Sequence, residues 1–430
     1  MKKIVYVALS ADILHEGHIN VLKKASKFGD VVVGLLTDEA IATYKKFPHL
    51  NYKQREIVLK NIKFVKRVIP QRTHDYSENL NILKPHFVVH GDDWKKGVQS
   101  LVRKRVLSTL KKWKGKLIEI KYTKNISSTL IRDKIKSLGT TPEVRKSKLK
   151  RLIAAKKIVR FLESHNSLTG LIIEKLNIVS KNQILEFDGM WSSSLTDSIS
   201  RGKPDNQSVD YSTRILGLNE TLDATTKPII FDADNGGRNE HIRHLVKSLE
   251  RAGVSAMVIE DKVGLKQNSL FKNQKNIKQD SIKEFCKKIQ IAKDSRISND
   301  FMIVARIESF ILGKSLKDAL NRAEAYSKAG ADAILIHSKE KTPKQIFSFS
   351  KKFIKSKYYK PMIAVPSKYS KTNEISLIKN NFKVVIYANH LMRASHFAMY
   401  KTASQILKNG RSFESEKNIT NLESILRLIK

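Results

Sequence analysis

Ala329-Gly-Ala-Asp-Ala-Ile-Leu-Ile-His-Ser338 follows the amphipathic stretch 316–329 and decides the fold. A helical period stops at a glycine, four consecutive apolar residues come next, and the run ends on an imidazole. A short apolar run without alternation reads as a strand covered on both faces, the mark of a parallel sheet packed under helices. The same unit recurs along the second part of the chain. Apolar runs stand at 158–162, 184–187, 228–231, 256–259, 302–305, 333–336, 362–365 and 384–387, with helical periods such as 239–252 and 282–292 between them. Eight strand-then-helix units over residues 145–430 predict a closed (β/α)8 barrel.

Residues 1–140 carry the same rhythm in a shorter form. Strand candidates at 3–9, 30–36, 67–69, 86–90 and 115–121 alternate with amphipathic stretches at 19–28 and 53–61, which predicts an open, largely parallel Rossmann-like sheet. The pattern breaks at Gly139-Thr-Thr-Pro142, and the boundary is expected there. The whole chain is therefore of the α/β class, with a front domain at 1–140 and a barrel at 145–430.

The 430 residues hold 81 Lys+Arg against 41 Asp+Glu, a formal charge of +40, with 41% hydrophobic residues. That composition is globular and excludes collagen-like or low-complexity chains. A single cysteine, Cys286, excludes an internal disulfide framework, a Cys-based zinc site and a CxxC redox pair, and fits a reducing, cytoplasmic compartment. The apolar start ends at Asp12, too early for a secretory signal, and no apolar run is long enough to span a membrane. Clustered positive charge would mark a nucleic-acid surface. The lysines here are spread among acids, and the densest run, Arg145-Lys-Ser-Lys-Leu-Lys-Arg151, lies between the two blocks, so a solvated basic surface is expected and no nucleic-acid or membrane partner.

In a (β/α)8 barrel, chemistry gathers at the C-terminal ends of the strands. Reading each strand to its end gives Trp191-Ser-Ser-Ser194, Asp232-Ala-Asp234, Glu260-Asp-Lys262, Arg306, His337 and Asn389-His390. Asp232, Asp234 and Glu260 form an oxygen-rich set suited to Mg²⁺, a hard cation that takes carboxylates and waters. Arg306 and His337 supply positive charge and hydrogen bonds for a phosphoryl group or a carboxylate.

These residues resemble the phosphoenolpyruvate mutases of the isocitrate lyase superfamily. Glu260-Asp-Lys-Val-Gly-Leu-Lys-Gln-Asn-Ser269 matches that family's EDKxxxKxNS segment at every fixed position, and Trp191, Ser193, Asp205, Val304-Ala-Arg306 and 329–338 agree as well. The resemblance covers about 145–430. It implies isomerisation of phosphoenolpyruvate to phosphonopyruvate, with Asp232 as the direct Mg²⁺ ligand and Asp205, Asp234 and Glu260 holding its waters. It further implies that Arg306, His337 and Asn268 contact the phosphoryl group, and that Ser193 and the backbone near Leu195 bind the carboxylate. Trp191 shapes the pocket, and Lys266, Asn268 and Ser269 lie on a closing segment. The usual Trp-Gly-Ser-Gly reads Trp191-Ser-Ser-Ser194 here, and Asp232-Ala-Asp234 is followed by Asn235-Gly-Gly-Arg238 in place of a Thr-Gly-Tyr-Gly type of segment. A superfamily relative hydrolyses phosphonopyruvate; Asn268 favours the mutase. The Lys-Lys-Cys-Gly-His motif of isocitrate lyase is missing.

His15-Glu-Gly-His18 follows the first strand and opens a helix, and Ile126-Ser-Ser-Thr-Leu-Ile-Arg132 opens another after the last strand, offering hydroxyls and free N–H groups to a phosphate. With Thr37-Asp-Glu39, Lys45-Lys46, Arg55 and Gly91-Asp-Asp-Trp94, they resemble the HxGH cytidylyltransferases over about residues 1–140. The resemblance implies that His15 and His18 stabilise charge at an α-phosphorus while Lys46 and Arg55 neutralise the triphosphate. Ser10, Asp92, Ser127, Ser128 and Thr129 complete the nucleotide site.

Together the two resemblances imply a bifunctional enzyme that forms a carbon–phosphorus bond and activates a phosphonate such as 2-aminoethylphosphonate as its CMP ester. Small-molecule substrates and a dimer or tetramer are expected. A phosphonopyruvate hydrolase, a mutase with a non-catalytic front domain and a basic nucleic-acid-associated protein are the alternatives; the intact barrel residues argue against the last.

Overall fold

The computed structural model describes residues 3–44, 47–95, 99–121, 139–180, 183–264, 266–267, 269 and 277–429. The chain divides into two compact units, one of Met1–Leu138 with Ala154–Lys156 and Asn177–Leu185, the other of Gly139–Ile153, Lys157–Leu176 and Glu186–Lys430.

The first unit is a parallel five-stranded sheet in the order β3-β2-β1-β4-β5. Its strands are β1 (Ile4–Leu9), β2 (Asp30–Leu36), β3 (Arg67–Gln71), β4 (Phe87–Gly91) and β5 (Lys116–Ile120). Both faces are apolar because both are covered. Val5, Val7, Val31 and Val33 pack with Leu22 and Leu59 on one side, while Tyr6 and Val88 pack with Trp94 and Val106 on the other. Strand order reverses between β1 and β4, the switch point where open α/β sheets bind ligands. Register is set by Gly29, whose φ is 148° and where a Cβ would stand 1.9 Å from the Lys3 carbonyl oxygen. Only glycine lets that oxygen accept the Asp30 N–H at 2.8 Å.

The second unit is a closed barrel of eight parallel strands. From Val159 onward the strands in chain order are β6 (Val159–Glu163), then β7 (Asn177–Ser180) and β8 (Gln183–Glu186), which fall in the first unit as far as Leu185, then β9 (Gly189–Ser192), β10 (Ile229–Asp232), β11 (Ala256–Glu260), β12 (Lys262–Val263) and β13 (Lys278–Gln279). Next come β14 (Met302–Ile307), β15 (Ala333–Ile336), β16 (Met362–Ala364) and β17 (Phe382–Tyr387). The barrel omits β7, β8, β12 and β13, which form two separate two-stranded pieces. The unit read from 329–338 is typical: Ser315 caps the helix Leu316–Ala329, Gly330 ends it at φ 114°, and β15 is buried at every position.

One strand assignment is corrected. The apolar run 184–187 falls on β8, paired outside the barrel with β7, and the second barrel strand is β9, beginning at Gly189. Glycine weakens a strand in isolation. In the closed barrel it is required, because a Cβ at 189 would lie 2.3 Å from the Phe161 ring and 2.6 Å from the Pro228 carbonyl oxygen. Tertiary crowding therefore selects a short Gly-Met-Trp-Ser strand over a more apolar neighbour.

Candidate active site

The barrel strands deliver their terminal side chains to one open cleft of about 550 Å³. Trp191, Ser193, Leu195, Asp205, Asp232, Lys266, Ser269, Arg306 and His337 line it, with Leu335, Val365, Ser367, Ala388 and Asn389 completing the wall, while Asp234 and Glu260 are not among the lining residues. Asn268 lies outside the described residues.

Asp232 ends β10, and the chain then turns through Asp234, which holds φ 49°, a left-handed conformation tolerated by aspartate and found at functional sites. The turn directs both carboxylates toward Lys266. Lys266 Nζ is 3.0 Å from Asp205 Oδ1 and 3.7 Å from Asp232 Oδ2, and it pairs with Asp234 Oδ1. Ser194 Oγ donates to Asp232 Oδ2 at 2.8 Å. The buried Arg214 guanidinium bonds the Asp197 carboxylate and the Ser192 and Asp232 carbonyls, and stacks 4.1 Å from the Phe231 ring. It fixes the ends of β9 and β10 from behind. Burial raises the Asp232 carboxyl, and the charges of Lys266, Arg306 and Arg214 outweigh that, so the group stays ionised well below its ordinary range.

Arg306 stands one residue before the end of β14. Its Nε donates to Glu308 at 2.7 Å, and its Nη2 donates to Ser269 Oγ at 2.8 Å, lies 3.0 Å from His337 Nδ1 and is 3.2 Å from Glu260. Glu308 is fully buried and also meets His337 Nδ1 at 3.0 Å, Lys262 Nζ at 3.3 Å and the Ser269 hydroxyl. Lys262 joins the set through Glu260 at 3.2 Å and Ser269 Oγ at 2.8 Å. Burial and then Arg306 lower the His337 pKa, so its imidazole is neutral near pH 7. Burial raises Glu260, while in Glu308 the charges of Arg306 and Lys262 and the hydrogen bond with His337 overcome burial and keep the carboxylate ionised. Sequence reasoning missed Glu308 and Arg214. Glu308 had a signal, since it stands two residues beyond Arg306 in the strand-like alternation Arg306-Ile-Glu308. Arg214 lies in the first turn of the helix Tyr211–Ala224 and had none.

The donor set suits a hard divalent cation. Asp205, Asp232, Asp234 and Glu260 offer oxygens alone, and the buried Asp234 Oδ1 and Glu260 Oε2 receive no hydrogen bond, only ion pairs. Among the described residues, no three acidic, histidine or cysteine side chains close to metal-holding geometry, because the aspartates are drawn around the Lys266 ammonium.

In the first unit, His15 caps the helix Glu16–Ala25, and its ring centroid is 4.1 Å from that of His18. His15 Nδ1 accepts the Gly17 N–H, and burial lowers its pKa. The two imidazoles thus stand together beside the end of β1. Arg55, expected at the triphosphate, has its guanidinium engaged by the chain itself. It is 0% exposed and donates to the carbonyls of Leu50, Ser10 and Leu36 and, at 2.6 Å, to the Asp38 carboxylate. Ser10 contributes its carbonyl to that cluster, and Asp92 starts a 3₁₀ turn, Asp92–Lys95, after β4. Lys46, Ser127, Ser128 and Thr129 lie outside the described residues.

Residues 149–407 match the family described as phosphoenolpyruvate phosphomutase. The chain belongs to that family. A phosphoenolpyruvate phosphomutase of Tetrahymena pyriformis is 37% identical over 284 residues, 66% of this chain and 90% of that relative. The crystal structure of a phosphoenolpyruvate phosphomutase from Streptomyces platensis subsp. rosaceus is 34% identical, with a TM-score of 0.61 over 67% of this chain and 95% of that one. A phosphonopyruvate hydrolase structure containing oxalate and Mg²⁺ is 29% identical, with a TM-score of 0.59 over the same 67% of this chain and 95% of its own. This phosphoenolpyruvate phosphomutase family member also carries a cytidylyltransferase-like domain at residues 10–134. The glycerol-3-phosphate cytidylyltransferase of Bacillus spizizenii is 34% identical over 99 residues there, 22% of this chain and 74% of that relative. The chain is an enzyme that joins a mutase-family barrel to a unit of the nucleotidyl-transfer class. Among its described residues, no helix is long and apolar enough to cross a membrane.

Proposed function

We propose that the barrel, residues 145–430, interconverts phosphoenolpyruvate and phosphonopyruvate with Mg²⁺, and that the front domain, residues 1–140, transfers a cytidylyl group from CTP to a phosphonate such as 2-aminoethylphosphonate. The observation that carries the first reading is one cleft lined by the Asp205 and Asp232 carboxylates together with Arg306 and His337, with Asp234 paired to Lys266 and Glu260 paired to Arg306 beside it. Asp232 would ligate the cation directly, with Asp205, Asp234 and Glu260 holding its waters. The cation would neutralise substrate oxygens and hold the carboxylate end in place.

The chain's own residues account for the rest. Ser193 and the Leu195 backbone hold the substrate carboxylate, Trp191 forms the wall, and Arg306 neutralises the phosphoryl oxygens. His337 turns Nδ1 toward Arg306 and Glu308, leaving Nε2 for the pocket. The O–P bond breaks with its electron pair left on oxygen, giving pyruvate enolate. The enolate's methylene carbon then attacks phosphorus, the C–P bond forms, and the oxygen becomes the keto group. Little covalent work falls to the protein; positioning, charge and exclusion of water do the catalysis.

³¹P NMR of the protein with Mg²⁺ and phosphonopyruvate tests this, with phosphoenolpyruvate as the expected product. Inorganic phosphate would instead establish a phosphonopyruvate hydrolase, the second reading, which the 29% identical hydrolase structure favours. For the front domain, the adjacent His15 and His18 at a helix N-terminus support nucleotidyl transfer. Pyrophosphate release from CTP dependent on the phosphonate is expected, and its absence would leave a non-catalytic domain. The exposed apolar residues Phe397, Tyr400 and Leu407 on the helix His390–Asn409 support assembly as a homo-oligomer, which light scattering measures.

A further inference from the structure

The aspartates of the cleft surround one cation, and it belongs to the chain. Lys266 Nζ meets Asp205 at 3.0 Å, Asp232 at 3.7 Å and the Asp234 carboxylate, and it donates to the Ser194 hydroxyl. The residue is 8% exposed, so this is a buried ammonium with acceptors on several sides. Three carboxylates brought this close repel one another strongly when water is excluded, and each needs a positive partner to stay ionised. Arg214 stands behind Asp234 at 3.8 Å, a longer and more peripheral contact. Lys266 is therefore the group that makes this arrangement of carboxylates electrostatically tolerable.

The same oxygens are those assigned above to the divalent cation. An ammonium among Asp205, Asp232 and Asp234 fills the space that a cation ligated by Asp232, with waters held by Asp205 and Asp234, would need. Two cations cannot share that point. A lysine can yield it, because its charge rides on a flexible four-carbon stem and is a point charge with no fixed fork geometry. A divalent ion carries twice the charge into the same field and wins once its concentration is sufficient.

We propose that Lys266 is a built-in counter-cation: in the metal-free enzyme its ammonium takes the divalent cation's place among Asp205, Asp232 and Asp234, and metal enters only by displacing it. The proposal rests on the reading of these carboxylates as the metal set. Its consequence is linkage. The lysine stabilises the metal-free fold and weakens metal binding by the same free energy, since the exchange must undo one set of contacts to make the other. Displacement also releases an ammonium beside the cleft, where an anionic substrate arrives.

The test is calorimetric titration of chelator-treated full-length protein with Mg²⁺ alone, using the natural sequence, Lys266→Met and Asp232→Asn. Lys266→Met is expected to bind Mg²⁺ at least tenfold more tightly. Its metal-free form should melt below the natural protein, and the gap should narrow at saturating Mg²⁺. Equal or weaker Mg²⁺ binding by Lys266→Met, with Asp232→Asn having lost it, overturns the counter-cation and leaves the metal set standing. Undiminished binding by Asp232→Asn overturns both. A second measurement needs no variant: acetic anhydride labelling, followed by mass spectrometry, should modify Lys266 slowly in chelator and faster with Mg²⁺. Equal labelling under both conditions overturns the proposal even if Lys266→Met does not fold.

Discussion

Glu308 and His337 form a buried pair, with Glu308 Oε1 3.0 Å from His337 Nδ1 and the same oxygen 2.7 Å from Arg306 Nε. One carboxylate thus orients both groups that line the cleft together with Asp205 and Asp232. An imidazole or guanidinium held by a buried acid keeps its geometry without substrate, which is where preorganised sites gain their rate.

Glu308→Gln keeps the volume and loses the charge. Turnover in the ³¹P assay is expected to fall about 10–100-fold, the usual cost of losing an orienting partner, with a smaller change in KM. Glu308→Ala should also destabilise the barrel by about 3–5 kcal/mol, because Arg306 and Lys262 lose a buried counter-charge. A Glu308→Gln enzyme with unchanged kcat would show that His337 and Arg306 hold their places without it.

The Ser194 hydroxyl donates to Asp232 at 2.8 Å. Ser194→Gly removes that bond and leaves the backbone free to keep its course. Mg²⁺ affinity measured by calorimetry is expected to change by about 10-fold or more, as for other partners of ligating side chains. No change would mean that the hydroxyl serves Lys266 and not the aspartate.

Arg55 is a structural residue of the front unit. Arg55→Ala is expected to cost about 3–5 kcal/mol in urea unfolding, since it leaves buried carbonyls and Asp38 without their donor. Arg55→Lys should recover little, because one ammonium cannot copy the fork. A variant with full stability and weakened CTP binding would return Arg55 to the phosphate site.

Glu119 gives the front unit an acid limit. Hydrogen bonds from Arg103 pull its carboxyl down to about 2 from 4.5, against a smaller opposing effect of burial, and Trp94 Nε1 adds a bond of 2.8 Å. Between those two values the unfolded chain binds a proton that the folded one does not, so this stabilisation is complete above pH 4.5 and is lost as pH falls toward 2. Unfolding midpoints followed by tryptophan emission should therefore fall more steeply over that window in the natural protein than in Glu119→Gln. Parallel curves would remove Glu119 from the account.

Much of this was legible in sequence because it is local. Strand runs such as 31–36 and 333–336 are apolar over their whole length, and the polar residues that end β10, β11, β14 and β15 are adjacent in sequence to the runs that position them. Strand ends alone therefore assign Asp232, Glu260, Arg306 and His337 to one mouth. The sequence by itself determined two α/β units, a barrel with acids and bases at its strand ends, and a histidine pair opening a helix.

Tertiary structure decided what depends on contacts between distant residues. Gly189 begins a barrel strand because Phe161 and Pro228 leave no room for a side chain, a fact invisible to strand propensity. Arg55 resembles a phosphate ligand by spacing, yet its guanidinium is surrounded by carbonyls contributed 5, 19 and 45 residues away. Lys266 belongs to a motif that suggests contact with substrate, and only the folded chain sets its ammonium among three aspartates from other loops. Periodicity records which face a residue presents; the partners it meets there are fixed by packing, and burial sets how strongly they interact.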